Sequence, residues 1–457
     1  MRDNMELPVS IDDYIVKGMR RGKNRKNHML VKRTAGIAAC MALVLFIVGV
    51  RVSPVFAAGA AKIPGLKYIV ELVQYDEGLT SAINNDYIQH IGRSDEKQGI
   101  VLTVDDIIAD NSGIIVFYSI ENNSNYKSPH ISNVKLLDSS GKDLKIGSTY
   151  GLSPSQEKVY HGRIDFNTDN EADGVLPESV ILKTDIAVDA GVSGEETAGR
   201  ISGEQSGSNF VRDSFKVLKD TWNVPVEIDR AKFTGEVKEY EINQEVQVEN
   251  QKIIFKNIKI YPTKCVLSVS FDKNNTMQLF TLEDLKLADE TGREWGKASS
   301  GIVSFNPDEN SRLLIFQSNY FYNPKKLYIT GGSIRALDKD KCYFTLDTEN
   351  KKITYSPFDI LSLTDFKLEN GALFFEANVK KGTGDTQNHF GISYEALDAN
   401  GTRLEVTGSG TATSSEANYI SYNLKLAPGF KGPITFKIYD YPNWIKGNFR
   451  VEVPLKR

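Results

Sequence analysis

Cysteine is nearly absent: three residues in 457 do not make a disulfide scaffold. Histidine is almost as scarce, and His28, His90, His130, His161 and His389 are dispersed, with no His-Glu-x-x-His pair and no partner at ligand spacing. His28 and Cys40 do not complete a His-x3-Cys-x2-Cys zinc arrangement, and no Gly-x-Ser-x-Gly elbow occurs. Metal and triad chemistry lack support, so the expectation is a protein that is not an enzyme and carries no cofactor. The nearest approach to a metal loop, Asp169-Asn-Glu-Ala-Asp-Gly174, fails at its twelfth position, which is Val180 where a calcium loop needs a bidentate Glu. It reads as a solvated acidic loop.

Long apolar runs are absent too, with one exception. Thr34 to Val50, TAGIAACMALVLFIVGV, carries no charge, Asn, Gln or Pro. At about 1.5 Å per residue it falls slightly short of the roughly 30 Å hydrocarbon core, a deficit that Lys32, Arg33 and Arg51 cover by snorkelling. The stretch predicts one transmembrane helix over 34–50. Residues 1–33 hold nine basic and four acidic side chains, a net charge of +5 that keeps this tail on the cytoplasmic side. Removing them from the 55 basic and 59 acidic residues of the chain leaves 46 and 55, a net of −9 for the rest. An acidic extracellular portion excludes nucleic acid as a bulk electrostatic partner. The predicted location is the cell membrane, single-pass, with the C-terminal domains outside. A cleaved signal peptide is the competing reading, since Val55-Phe56-Ala57 offers a cleavage site after Ala57. The 33-residue leader and the 17-residue run are both long for a signal peptide, which favours the anchor.

Within the tail, Ser10 caps a short predicted helix that sets Ile11, Tyr14, Ile15 and Met19 on one face, followed by Arg20, Arg21 and further basic residues. These are the candidate partner-binding residues, for a cytoplasmic protein or for anionic lipid; a purely topogenic tail is the alternative. Residues 51–98 form a connector and a membrane-proximal helix pair, the first carrying Leu66, Ile69, Val70 and Val73, the second capped by Asp76 and carrying Leu79, Ala82 and Ile83.

From Gly99 onward the chain repeats itself. Val134–Leu144, Leu285–Trp295 and Tyr394–Leu404 each place Asp three residues ahead of Gly between apolar strand residues, the chemistry of a tight turn. Asp138, Asp289 and Asp398 therefore read as turn residues. Each turn follows a strand pair at a distance of 24, 23 or 26 residues, and precedes a Pro-led strand and a closing strand, Trp222–Ile228, Cys342–Leu346 and Phe449–Val453. About seven alternating strands per unit predict a mainly β chain of three tandem Ig-like antiparallel β-sandwiches, 99–230, 231–350 and 351–457. The first carries a polar insertion, 192–209, expected to be a mobile loop. Cys265 and Cys342 fall on strands of the second unit; they form a disulfide if their Cα atoms come within about 7 Å, and otherwise stay as buried thiols.

Lys62–Val73 (KIPGLKYIVELV), Tyr75-Asp-Glu-Gly-Leu79, Tyr87-Ile-Gln89 and Val101–Ala109 (VLTVDDIIA) resemble a family of single-pass surface proteins of Gram-positive Firmicute bacteria. Its members carry an extracellular domain of unknown function and are often described as negative effectors, or anti-sigma factors, of extracytoplasmic-function sigma factors. The similarity covers about Ser10 to Ile120, and brings no catalytic residues with it. It implies a membrane-anchored sensor whose tail, through Ile11, Tyr14, Ile15 and Met19, binds a cytoplasmic sigma factor. The alternative is a surface module that contacts cell-wall or surface-protein ligands and does not signal.

Overall fold

The computed structural model describes residues 76–151, 157–168, 177–189, 215–297, 304–380, 390–413 and 418–455. The tail, the expected span, the first membrane-proximal helix, the acidic stretch 169–174 and the insertion 192–209 lie outside these residues. No helix among the described residues is long and apolar enough to cross a membrane. What is described is mainly β, in antiparallel sheets whose buried faces pack as in a β-sandwich.

The described chain begins with helix α1 (Glu77–Asn84), where the Asp76 carboxylate caps the N-terminus by accepting from the Leu79 amide at 3.0 Å. Eight strands follow. β1 (Gln89–Lys97), β2 (Ile100–Asp110), β3 (Gly113–Asn122), β6 (Val159–Asn167) and β5 (Gly147–Tyr150) make one sheet in that spatial order. β4 (His130–Asp138), β7 (Ser179–Asp189) and β8 (Phe215–Glu227) make the sheet opposite. Alternation drives Leu102, Val104, Val116, Phe166, Leu182 and Val224 into the space between, around a fully buried Trp222 whose ring N–H donates to the Ile100 carbonyl at 3.0 Å. This is the first of three apolar cores.

The second core repeats the plan. β9 (Lys238–Val248), β10 (Gln251–Ile260), β11 (Lys264–Phe271), β16 (Ser311–Gln317) and β15 (Ser304–Asp308) form one sheet, and β12 (Met277–Leu282), β13 (Lys286–Asp289), β14 (Glu294–Trp295) and β17 (Leu327–Asp338) belong to the other. The third core is enclosed by a single eight-stranded sheet of β18 (Tyr343–Asp347), β19 (Lys352–Tyr355), β20 (Leu361–Glu369), β21 (Ala372–Val379), β22 (Gly391–Leu397), β23 (Arg403–Thr413), β24 (Asn418–Lys425) and β25 (Pro433–Asp440). One bulge recurs in all three. Asp105, Lys256 and Thr364 each drop out of register between the paired residues Val104/Asp106, Phe255/Asn257 and Leu363/Asp365. The three turns are also alike: Oδ1 of Asp138, Asp289 and Asp398 accepts from the amides two and four residues on, at 2.8–3.0 Å, while Gly141, Gly292 and Gly401 take φ near +80°. The Ser140 hydroxyl, with the Lys142 and Ser140 amides, holds the exposed Asp138 carboxyl below the usual range.

The closing strands depart from the expected arrangement. In the first core β8 pairs with β7, the strand before it. In the second, Cys342–Leu346 does not return to β17; β18 pairs instead with β25, from Tyr343↔Lys437 to Asp347↔Pro433. The place beside β17 goes to β26 (Trp444–Val453), from Leu327↔Val453 to Arg335↔Trp444. The second and third cores thus exchange closing strands, and a boundary at 350/351 cuts through both. The longer closing strand goes to the longer partner: ten-residue β26 covers most of twelve-residue β17, while five-residue β18 lies beside eight-residue β25. Packing follows the exchange, since Ile445, Phe449, Val451 and Val453 are buried in the second core, and Phe344 and Leu346 in the third.

Burying those four side chains of β26 is worth roughly 6–12 kcal/mol as an upper estimate. That is comparable to the whole stability of a typical domain, about 5–15 kcal/mol. A chain ended after residue 350 should therefore fail to fold its second core, and limited proteolysis should degrade residues 238–338 in it while leaving them intact in the full chain.

Candidate functional site

Of the residues singled out in the sequence, Ile11, Tyr14, Ile15, Met19, Arg20 and Arg21 lie outside the described residues. Cys265 and Cys342 are both free thiols. Cys265 is sealed in the second core with its sulfur 3.6 Å from Asn319 Oδ1, and burial pushes its pKa up to about 12. Cys342 is half-buried beside the Leu337 and Asp338 carbonyls, and burial pushes it up to about 11. Neither is a thiolate at neutral pH, so neither is primed for disulfide exchange. Among the described residues no group of three or more His, Cys, Asp or Glu is arranged to hold a metal ion.

A buried polar cluster sits where α1 meets the first and second cores. Gly78 lets the helix approach: a Cβ there would lie 2.3 Å from the Ser318 amide nitrogen. The Glu77 amide donates to Gln317 Oε1 at 3.0 Å, and the Tyr322 hydroxyl to Glu77 Oε2 at 2.8 Å. Just past the helix, Tyr87 packs edge-on against Phe233 and tilted against Phe321. The Gln317, Ser318 and Tyr322 contacts fasten α1 to the second core, while Phe233 packs against the first.

Asp110, at the end of β2, ties that core to the first. Its Oδ1 accepts from the Ser112 amide at 2.8 Å and hydroxyl at 2.5 Å. Its Oδ2 accepts from the Thr263 amide at 3.0 Å and hydroxyl at 2.7 Å, across the junction. The next residue, Lys264, reaches back to the Ser112 carbonyl at 3.2 Å and Asn167 Oδ1 at 2.5 Å. Burial pulls the Lys264 ammonium pKa down, against the opposing pull of Asp110 and Asp165. On β6, Asp165 is buried, with Oδ2 bonded to Arg163 at 3.1 Å and Oδ1 lacking a hydrogen-bond partner among the described residues. Burial raises its pKa to about 6, with Arg163 and Lys264 opposing and Asp76 adding to the rise. Asp76, Leu79, Arg163, Asp165, Thr263 and Lys264 line a cavity of about 30 Å3 at the centre, room for one water. No local pattern announced this cluster, because its members come from four separate elements.

A second feature lies between the second and third cores. A groove of about 490 Å3 is bounded by Gln278, Glu309 and Lys339 on one side and Tyr343, Leu397 and Lys437 on the other, with Glu309 and Lys437 ion-paired across it. Arg312 holds one wall in place, donating to the carbonyls of Leu279 and Phe280 on β12 and of Asp308, Glu309 and Ser311 at the β15–β16 turn.

Comparison with known proteins finds two matched stretches. Residues 26–122 match a domain of unknown function, DUF4179. Residues 237–369 match a family of unknown function, DUF5643. No curated protein matches. A solved structure described as "The crystal structure of the conserved domain protein from Bacillus anthracis" is similar at 17% identity and a TM-score of 0.38, over 59% of this chain and 84% of that one. The first match supplies Asp76 and Asp110, and the second supplies Thr263 and Lys264, so the junction is where the two matched stretches touch.

Replacing Asp110 with Ala strands the Ser112 and Thr263 amides without an acceptor, which costs about 1–3 kcal/mol for each. Scanning calorimetry of Asp110→Ala should show the first and second cores melting several degrees earlier and as separate transitions.

Proposed function

We propose that this chain is a membrane-anchored regulator: three tandem Ig-like sandwiches outside the cell respond to the state of the envelope, and the cytoplasmic tail engages a sigma factor in the manner of an anti-sigma factor. The observation that carries this reading is the docking of α1. The helix is the second of the predicted membrane-proximal pair, and it is built into the junction between two cores. Any change at that junction has a covalent route to residues 51–75 and the predicted span. Moving a two-state element from 1:99 to 99:1 takes about 5.5 kcal/mol. A junction of several buried hydrogen bonds to charged groups, each worth roughly 1.5–3 kcal/mol, is of that size. The resemblance of Ser10 to Ile120 to sigma-factor negative effectors supports the partner class.

A second reading, a surface module contacting cell-wall or protein ligands, is favoured by the groove between the second and third cores, whose volume is in the range of small-molecule sites. The two readings separate in one experiment on solubilised membranes of the native host. Affinity capture with the full chain should recover a sigma factor that is lost when residues 1–22 are deleted. Recovery unaffected by that deletion, together with sedimentation of the exterior from Lys62 onward with wall material, would favour the surface module.

A further inference from the structure

At the junction, an amine and an amide from different cores are already in contact. Asn167 ends β6 and Lys264 opens β11, and Lys264 Nζ lies 2.5 Å from the Asn167 side-chain oxygen. The amide carbon is one C=O bond, about 1.23 Å, beyond that oxygen, and so no more than about 3.7 Å from the nitrogen. Reacting atoms held for attack stand about 3–3.5 Å apart. One atom positions both groups: the Ser112 carbonyl accepts from Lys264 Nζ and from the amide of Thr168, the residue after Asn167, each at 3.2 Å. The Asp110 carboxylate fixes the backbone just before Lys264 through the Thr263 amide and hydroxyl. Asp165 stands two residues before Asn167, so the two share a face of β6, and both line the cavity that Lys264 enters. Asp165 Oδ2 is held by Arg163, while its Oδ1 has no hydrogen-bond partner among the described residues.

We propose that Lys264 and Asn167 are the two halves of an intramolecular isopeptide bond: the Lys264 amine displaces ammonia from the Asn167 side-chain amide, with Asp165 carrying the proton, and joins the second core to the first. Enclosure favours the neutral forms this chemistry needs. Burial pulls the Lys264 ammonium toward the amine, and passing its proton to Asp165 gives an amine and a carboxylic acid without changing the net charge. The Nζ lone pair forms the new bond to Asn167 Cγ, and the bond from Cγ to Nδ2 breaks with its electron pair left on nitrogen. Asp165 gives its proton to the departing nitrogen and takes one from Nζ, so it ends as it began. The products are one secondary amide and one ammonia, and nothing is oxidised or reduced. The cavity of about 30 Å3, with room for one water, also has room for ammonia. Before the bond forms, the seam between the two cores is held by hydrogen bonds alone. Afterwards those cores cannot part, while α1 stays docked by non-covalent contacts and remains free to lift. The bond does not depend on what the tail binds.

The test is mass spectrometry of the full chain, purified in detergent, denatured and digested with trypsin. The peptide holding Asn167 should be found joined to the one holding Lys264, lighter than their sum by one ammonia, with no cleavage after Lys264. Lys264→Arg, which keeps the positive charge and the donors but not the primary amine, should give the two peptides separately and at full mass. Asp165→Asn should also lose the link, and hydrogen exchange of β3 and β6 shows whether that variant is folded. The unaltered chain decides the matter even if neither variant folds: separate peptides at full mass would overturn the proposal. So would an ammonia loss confined to the Asn167 peptide, or a link that persists in folded Asp165→Asn.

Discussion

β17 runs for twelve residues with an apolar face to cover and an edge that must find hydrogen-bond partners, and the only strand of sufficient length among its described neighbours comes from over a hundred residues further along the chain. That requirement organises the second and third units together. Once β26 is taken by β17, β25 is left needing a neighbour, and β18, emerging directly after the 3-10 turn at Lys339–Lys341, supplies it. Leu337 and Phe280 then pack in the third core although they belong to strands of the second, so the two share a boundary as well as an exchange. Arg335 lies on this seam, its guanidinium held between Glu283 and Asp440 at 2.8 and 3.1 Å.

The first unit is joined differently. It keeps its own closing strand, and its link to the second is polar: Asp110 to Thr263, Lys264 to Ser112 and Asn167, with α1 laid over the seam. An apolar exchange separates only by unfolding, whereas a hydrated break in a polar seam needs only new hydrogen bonds to water. The chain thus has one joint made by exchanged strands and one made largely of buried polar contacts, and the polar one is next to α1.

Much of the local structure was legible in the sequence because it is set by local chemistry. The Asp-x-x-Gly turns, the Asp76 cap and the strand pairs all follow from residues within a few positions of one another. Which closing strand joins which sheet was not legible. The segments around Phe344 and Phe449 both alternate apolar and polar residues, and alternation tells only which face is buried, not which neighbour covers it. The junction was hidden for the opposite reason: Asp76, Asp110, Arg163, Asp165 and Lys264 make no pattern until four segments far apart in sequence converge. The shared bulge at Asp105, Lys256 and Thr364 was present all along as an aligned position, but its residues differ in chemistry and carry no common signature.

The strand exchange also sets an order of events during synthesis. Residues 238–338 cannot complete their sandwich until 444–453 have been made. At roughly 5–20 residues per second, that leaves an interval on the order of 5–20 s in which β17 has an open edge. In that interval the second core is incomplete, and it closes only when the late strand arrives. A polypeptide stalled short of Trp444 never closes, and presents to proteases an exposed edge that a finished one hides.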